Sequence, residues 1–331
     1  MDSKLKKLIF LIAVVAITGL VEAKQEALPT PLDLETALSF AKDHPRTRLS
    51  LEQQLISPPA QSLFLNCHNL SFNNTNETDR QRNSVFANNL ITPVEQQKLF
   101  ILQYFFDVLL ADSSMIGINE DMAGAYIAYD RAKTRQEFKQ YSELRVAKLE
   151  AEYQDVLQQR FSGEASQRLS RSQLAHAINH PNDLSSDLNP PSLIKAIKEL
   201  PDSEEIISNA LKNNRWLKEL EKNNNKDQIA LIKMNLRQQI LELVLRLNVL
   251  NAAVTRAESE SYSRDLDLEM SRSLYEMEVK ASLGRSMTLQ SKARMQEERI
   301  NYCVTLAWAQ LNALQGQDIL TQPQVKKEPS E

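Results

Sequence analysis

LFILQYFFDVL (residues 99–109) and ILELVLRLNVL (residues 240–250) are the stretches that decide how this chain is read. Leu99, Leu102, Phe106 and Leu109 recur as Ile240, Leu243, Leu247 and Leu250 at a constant offset of 141 residues. Steps of three and four residues place each set on one stripe of a helix, as in a coiled-coil seam. The repetition predicts an internally duplicated chain whose two long helices are equivalent and pack side by side. The fold class is mainly all-α: tandem-repeated long antiparallel helical hairpins forming a coiled-coil body, with at most one short irregular β-hairpin.

Composition agrees with long uninterrupted helices, because only 6 glycines occur in 331 residues, against a usual share of roughly 7%. Charged residues make up 25% and hydrophobic ones 42%, which suits helices with one apolar stripe and wet outer faces. The net charge of -4 and the interspersed acids and bases leave no basic stripe to follow a phosphate backbone, so nucleic acid is not an expected partner.

The N-terminus points to export. Lys4, Lys6 and Lys7 precede the apolar run Leu8 to Leu20 and then Val21-Glu22-Ala23, a signal-peptide pattern with cleavage after Ala23; an uncleaved anchor is the alternative. Beyond it no apolar run approaches the roughly 20 residues of a membrane-spanning helix. Cys67 and Cys303 belong to a compartment where disulfides form. Nothing local brings them together, which favours two unpaired thiols.

The expected organisation is a signal peptide at 1–23, an N-terminal extension at 24–32, a first helical repeat at 33–180, a linker at 181–202, a second repeat at 203–316 and a disordered tail at 317–331. Asp33 caps a short helix through Leu38 and Ala41, which breaks at His44-Pro45 and resumes through Arg48. Residues 57–91 form an irregular insert, at most a weak hairpin around Leu63, Leu65 and Cys67. Thr92-Pro93-Val94-Glu95 supplies an N-cap, a proline at the first helical position and a capping-box acid. The long helix that follows runs to about Gln140 and reverses through Gln140, Tyr141 and Ser142. A second long helix ends before Pro181, and Pro190-Pro191 marks the linker as extended. Ser203 caps the restart, and Asn213-Asn214 stands where Asp43-His44 stood. The helix carrying Ile240 reaches a reversal at Gly284, Arg285 and Ser286. The last helix has its ladder at Ile300, Val304, Ala307, Leu311 and Leu314.

This order of elements resembles the TolC-like outer-membrane efflux protein family. Leu34-Glu35-Thr36-Ala37-Leu38 followed by His44-Pro45 is similar to the family's opening phrase, and Glu204 to Asn214 is a degenerate second copy. Phe106-Asp107-Val108-Leu109-Leu110-Ala111 resembles its aromatic-Asp-Val-Leu-Leu-Ala run. Asn179 to Leu193 resembles its inter-repeat linker, and Gly284 to Gly316 its closing turn and helix. The resemblance implies a homotrimer whose helices line a periplasmic tunnel beneath a β-barrel built from one hairpin per repeat. It also implies docking of a periplasmic adaptor, and through it an inner-membrane pump, at the turns Gln140, Tyr141, Ser142 and Gly284, Arg285, Ser286. One departure is visible: between Leu220 and Ile229 there is no room for a membrane hairpin, which needs roughly twenty residues. The chain therefore reads as such a helical body with a reduced or absent barrel.

No catalytic constellation, phosphate loop, cofactor motif or zinc motif occurs, so a non-enzyme without cofactor or metal is expected. His176 and His180 read as a surface pair lacking a third ligand. Sequons at Asn69, Asn73 and Asn76 matter only in a eukaryotic secretory pathway. Two functions are expected in competition: a tunnel component of an efflux or secretion assembly moving small molecules, and a non-transporting periplasmic scaffold that kept the helices after losing the barrel. Either would be exported, to the periplasm or outer membrane of a Gram-negative bacterium.

Overall fold

The computed structural model describes residues 27–51, 62–71, 90–181, 187–197, 199–222, 226–277 and 283–323. The signal-peptide segment, residues 72–89 of the insert and residues 324–331 of the tail lie outside the described residues. Short helices α1 (Leu34–Ser39), α2 (Pro45–Leu51) and α3 (Cys67–Ser71) precede the long hairpin α4 (Pro93–Glu137) and α5 (Glu143–Ala177). The second half repeats the plan with short α6 (Ser203–Asn213) and α7 (Arg215–Glu221), then long α8 (Lys226–Glu276) and α9 (Leu283–Leu314).

Local chemistry accounts for the helix starts. Thr92 Oγ1 accepts from the Glu95 N–H at 3.3 Å, and the Glu95 carboxylate accepts from the Thr92 N–H at 3.0 Å, closing the expected capping box at Pro93. Asp33 caps α1 by accepting from the Thr36 N–H at 2.7 Å, and that bond holds its carboxyl below the usual value. Asp202, not Ser203, occupies the N-cap of α6, and its side chain makes no capping bond. With 45 residues α4 is about 68 Å long. Its amphipathicity changes along its length: the run from Leu99 to Ala111 is largely buried, while most residues beyond Ile116 face outward. One window of α4 is apolar enough to cross a membrane by length and composition, with a mean hydropathy of 1.5, which corrects the expectation that no such run follows the N-terminal segment. That window is 67% buried within the protein, as expected of a core helix.

The core sits at one end of the long helices, where α4 begins and α9 ends. Ile300, Val304, Ala307, Leu311 and Leu314 are all buried there, together with both four-residue ladders except Leu109, which is partly buried. The ladders do not pair with each other as expected. Helix α9 lies against both α4 and α8 and receives the two seams. The reason is that α9 is buried on every side from Tyr302 to Leu314, so it offers each ladder a partner surface that neither ladder offers the other.

The expected repeat shows in the polar joints. His44 Nε2 lies 3.0 Å from the His176 carbonyl near the end of α5, and its Nδ1 accepts from the Arg46 N–H at 3.1 Å. In the second half Asn214 Nδ2 donates to the Leu314 carbonyl at the end of α9 at 2.8 Å, while its Oδ1 accepts from the Leu217 N–H at 2.7 Å. Each residue thus ties the start of the second short helix of its repeat to the end of the second long one. Asn214 also donates to the Leu90 carbonyl at 2.9 Å, joining the two repeats.

Three expectations are corrected. Cys67 and Cys303 form a disulfide with a Cα–Cα distance of 5.4 Å across 236 residues, because α3 is laid on the middle of α9. The insert has no hairpin among its described residues: Cys67 begins a short helix, and Ser62 to Leu65 is bound by Asp107. This carboxylate accepts from Ser62 Oγ at 2.6 Å and from the Leu63, Phe64 and Leu65 N–H groups at 2.8, 3.2 and 3.2 Å. Burial pushes the Asp107 carboxyl upward, and the four donors oppose that shift. From the other side Arg299 Nε donates to the Leu65 carbonyl at 2.9 Å. Residues 319–321, expected to lie in a disordered tail, are instead packed, since Ile319 is buried and Asn312 Nδ2 donates to the Thr321 carbonyl at 2.8 Å.

Helix α9 ends at Leu314 and is closed by Gly316, whose φ of +70° accompanies the bonds Gly316 N–H to the Ala313 carbonyl and Gln317 N–H to the Asn312 carbonyl. A Cβ there would collide with the Asn213 carbonyl, so both backbone sign and space require glycine. The described linker residues 187–197 contain no helix. Leu32 and Leu188 form a parallel bridge, and Ile194 and Thr305 hydrogen-bond to each other where the linker crosses α9. That bridge is the sole strand-like pairing among the described residues.

Candidate functional site

Helix α8 is apolar on two opposite faces. Leu236, Ile240, Leu243, Leu247, Leu250 and Val254 are buried against the core. Leu241, Leu245, Val249, Tyr262, Leu266 and Met270 lie roughly half a turn away and are 41–66% exposed. Steps of four keep the members of each trio in line along the helix. Scattered exposed leucines are ordinary, but two such trios on the outward side of one helix, separated by exposed Ala252, Arg256 and Ser259, form two apolar patches available for contact. The sequence reading identified the buried seam and missed these outward patches, although the same spacing carries them.

The first hairpin turn is a built structure. Lys139 takes φ +56°, and the Gln140 N–H reaches back to the Arg135 carbonyl at 2.8 Å, closing α4. Ser142 caps α5 by accepting from the Arg145 N–H at 3.3 Å. Tyr141 between them has the Arg145 guanidinium 4.0 Å and the Arg135 guanidinium 5.3 Å from its ring centroid. Its hydroxyl accepts from Arg135 at 2.8 Å. On either side Phe138 and Leu144 project into solvent at 70% and 67% exposure. Gln140, Tyr141 and Ser142 therefore do form the reversal, and Phe138 and Leu144 are the apolar residues of the turn that the sequence reading left out.

The second set is placed differently. Gly284, Arg285 and Ser286 belong to the first turn of α9 rather than to the connection, because α8 ends at Glu276 and α9 starts at Leu283. Ser286 Oγ lies 2.7 Å from Ser271 Oγ, which fixes α9 to the last turns of α8. The connection itself, 278–282, lies outside the described residues.

The surface reading of the histidine pair holds for His176, which is exposed, and is corrected for His180. His180 is buried with its ring 4.9 Å from that of Phe40, and His176 takes part through its backbone carbonyl. No cluster of three or more metal-ligating side chains occurs among the described residues.

No protein-family model matches the chain, and no curated protein does. Its fold is similar to that of solved structures. One is of CusC, from work on the conformational changes accompanying its folding and transmembrane channel formation. The match has 12% identity and a TM-score of 0.51, and it covers 86% of this chain and 96% of that one. The CmeC outer membrane channel of Campylobacter jejuni matches at 11% identity and a TM-score of 0.43, over 72% of this chain and 66% of that one. The open state of the MtrE outer membrane channel of Neisseria gonorrhoeae matches at 12% and 0.40, over 88% and 91%. The likeness to CusC shows a shared fold, and that fold is the duplicated helical body expected from the sequence.

Proposed function

We propose that this chain is a TolC-like component of an export assembly, a homo-oligomeric helical body in the periplasm or outer membrane that surrounds a path for small molecules. The observation that carries the reading is the second apolar face of α8, which a lone chain leaves in water and a neighbouring copy would cover. A trimer is the state implied by the resemblance. In this reading the turn at Phe138 to Leu144 is where an adaptor docks, since it is rigid and carries exposed apolar residues beside arginines. An inner-membrane pump would complete the path through that adaptor. Transport in such a body is steric, a water-filled route that opens or narrows as the helices shift.

A second reading is favoured by one specific feature. Helix α7 ends at Glu221 and α8 begins at Lys226, so the second repeat leaves four residues where a membrane hairpin needs roughly twenty. A periplasmic scaffold that keeps the helices without a pore would have this form.

Membrane fractionation of the expressed protein, with light-scattering mass in buffer and in mild detergent, separates the two. A trimer in the outer-membrane fraction supports the tunnel component. A water-soluble oligomer supports the scaffold, and a soluble monomer would refute the assembly role of the α8 face.

A further inference from the structure

Where the first turns of α4 face the last turns of α5, the helices leave a cleft of about 390 Å³ next to the His44–Arg46 step. Phe100 and Tyr104, both buried, line it from α4, and Leu169, half exposed, lines it from α5. Its cationic side comes from Arg46, with His44 and His176 nearby, and no carboxylate lines it among the described residues. The volume falls within the range of small-molecule sites, roughly 300–1,000 Å³.

We propose that this cleft binds a small organic anion, with a carboxylate on the Arg46 guanidinium and a flat apolar body against Phe100, Tyr104 and Leu169. A guanidinium presents paired N–H donors that match a carboxylate, and partial burial has already stripped it of some water. His44 is held neutral by burial, so Arg46 supplies the charge. Tyr104, pushed up to about 12, remains a phenol and thus a hydrogen-bond donor. Two acceptors favour a ligand that also carries an N–H. Gln97 Oε1 and Gln173 Oε1 are buried without hydrogen-bond partners among the described residues, and both side chains line the cleft. The site is independent of the assembly proposed above, since it is formed within one hairpin and its entrance.

Calorimetric titration of the purified full chain with 3-indolepropionate, and in parallel with the neutral 3-indolepropanol, tests this. The carboxylate is expected to bind at least about tenfold more tightly than the alcohol. Arg46→Met should erase that difference, with Arg46→Lys in between. Leu169→Trp, a change at the exposed mouth that leaves the core untouched, should weaken both ligands while thermal melting stays as in the parent. Equal affinity for the two probes, no heat from the carboxylate at about 10 mM, or unchanged binding in folded Leu169→Trp would overturn the proposal.

Discussion

Asn214 and His44 hold equivalent joints in the two repeats. The Asn214 amide donates to the Leu314 carbonyl at the end of α9, and the His44 imidazole reaches the His176 carbonyl at the end of α5. Two chemically different side chains close the same kind of corner, since both an amide and a neutral imidazole can donate on one side and accept on the other.

Asn214 is buried and makes three hydrogen bonds through its side chain. Asn214→Ala removes the cap of α7 and strands the Leu90 and Leu314 carbonyls, a loss of about 2–4 kcal/mol. Urea denaturation reads this directly, and a change below about 0.5 kcal/mol would mean that water replaces the amide.

At His44 the sign of the pH effect follows from the same geometry. Nδ1 accepts from Arg46 while Nε2 is left to donate, so the folded protein prefers the neutral ring and the pKa is depressed below 6.5, mainly by burial. Above pH 6.5 the contribution is fully present, and it is lost as pH falls from there through the folded value. His44→Asn supplies a non-titrating equivalent and should flatten the stability profile between neutral and mildly acidic pH. Parallel slopes for parent and variant in that range would contradict this.

Asp107 should hold the Ser62–Leu65 segment in place. Asp107→Ala leaves three backbone N–H groups without their acceptor, costing about 2–4 kcal/mol. Amide hydrogen exchange at Leu63, Phe64 and Leu65 should accelerate more than at Leu99 or Leu102. Uniform acceleration would show a global effect instead.

The disulfide predicts that the purified protein has no titratable thiol until it is reduced. The double change Cys67→Ser and Cys303→Ser should lower stability by about 2–5 kcal/mol. Two free thiols in the oxidised, unfolded protein would disprove the bond.

The two faces of α8 predict opposite phenotypes. Leu247→Asp places an unpaired charge in the core and should unfold or severely destabilise the chain, seen as lost helicity by circular dichroism. Leu245→Glu with Leu266→Glu acts on the two exposed patches and should keep helicity while reducing the mass by light scattering. Unchanged mass would remove those patches from the assembly.

Much of the helical layout was legible because its causes are local. The capping box at Thr92 and Glu95, the Asp33 cap and the reversal at Gln140 to Ser142 depend on groups within a few residues of one another. Asp107 had a readable signal, a carboxylate in the middle of an apolar run, yet its partners lie more than 40 residues away and nothing local names them. The boundary of the second turn was misplaced because Gly284 suits a turn by type, while the Ser271–Ser286 contact favours continuing α9 back to Leu283.

By itself the sequence determined the duplication, the long helices and the apolar ladders, since periodicity and caps are properties of neighbouring residues along one helix. Only the tertiary structure decided what each ladder meets. Helix α9, apolar on every side near its end, took both seams, and the same arrangement carried Cys303 to Cys67 and left the other face of α8 uncovered. Burial is shared out among all elements at once, so which of two equally apolar faces turns inward is settled by the competing areas of segments far apart in the chain.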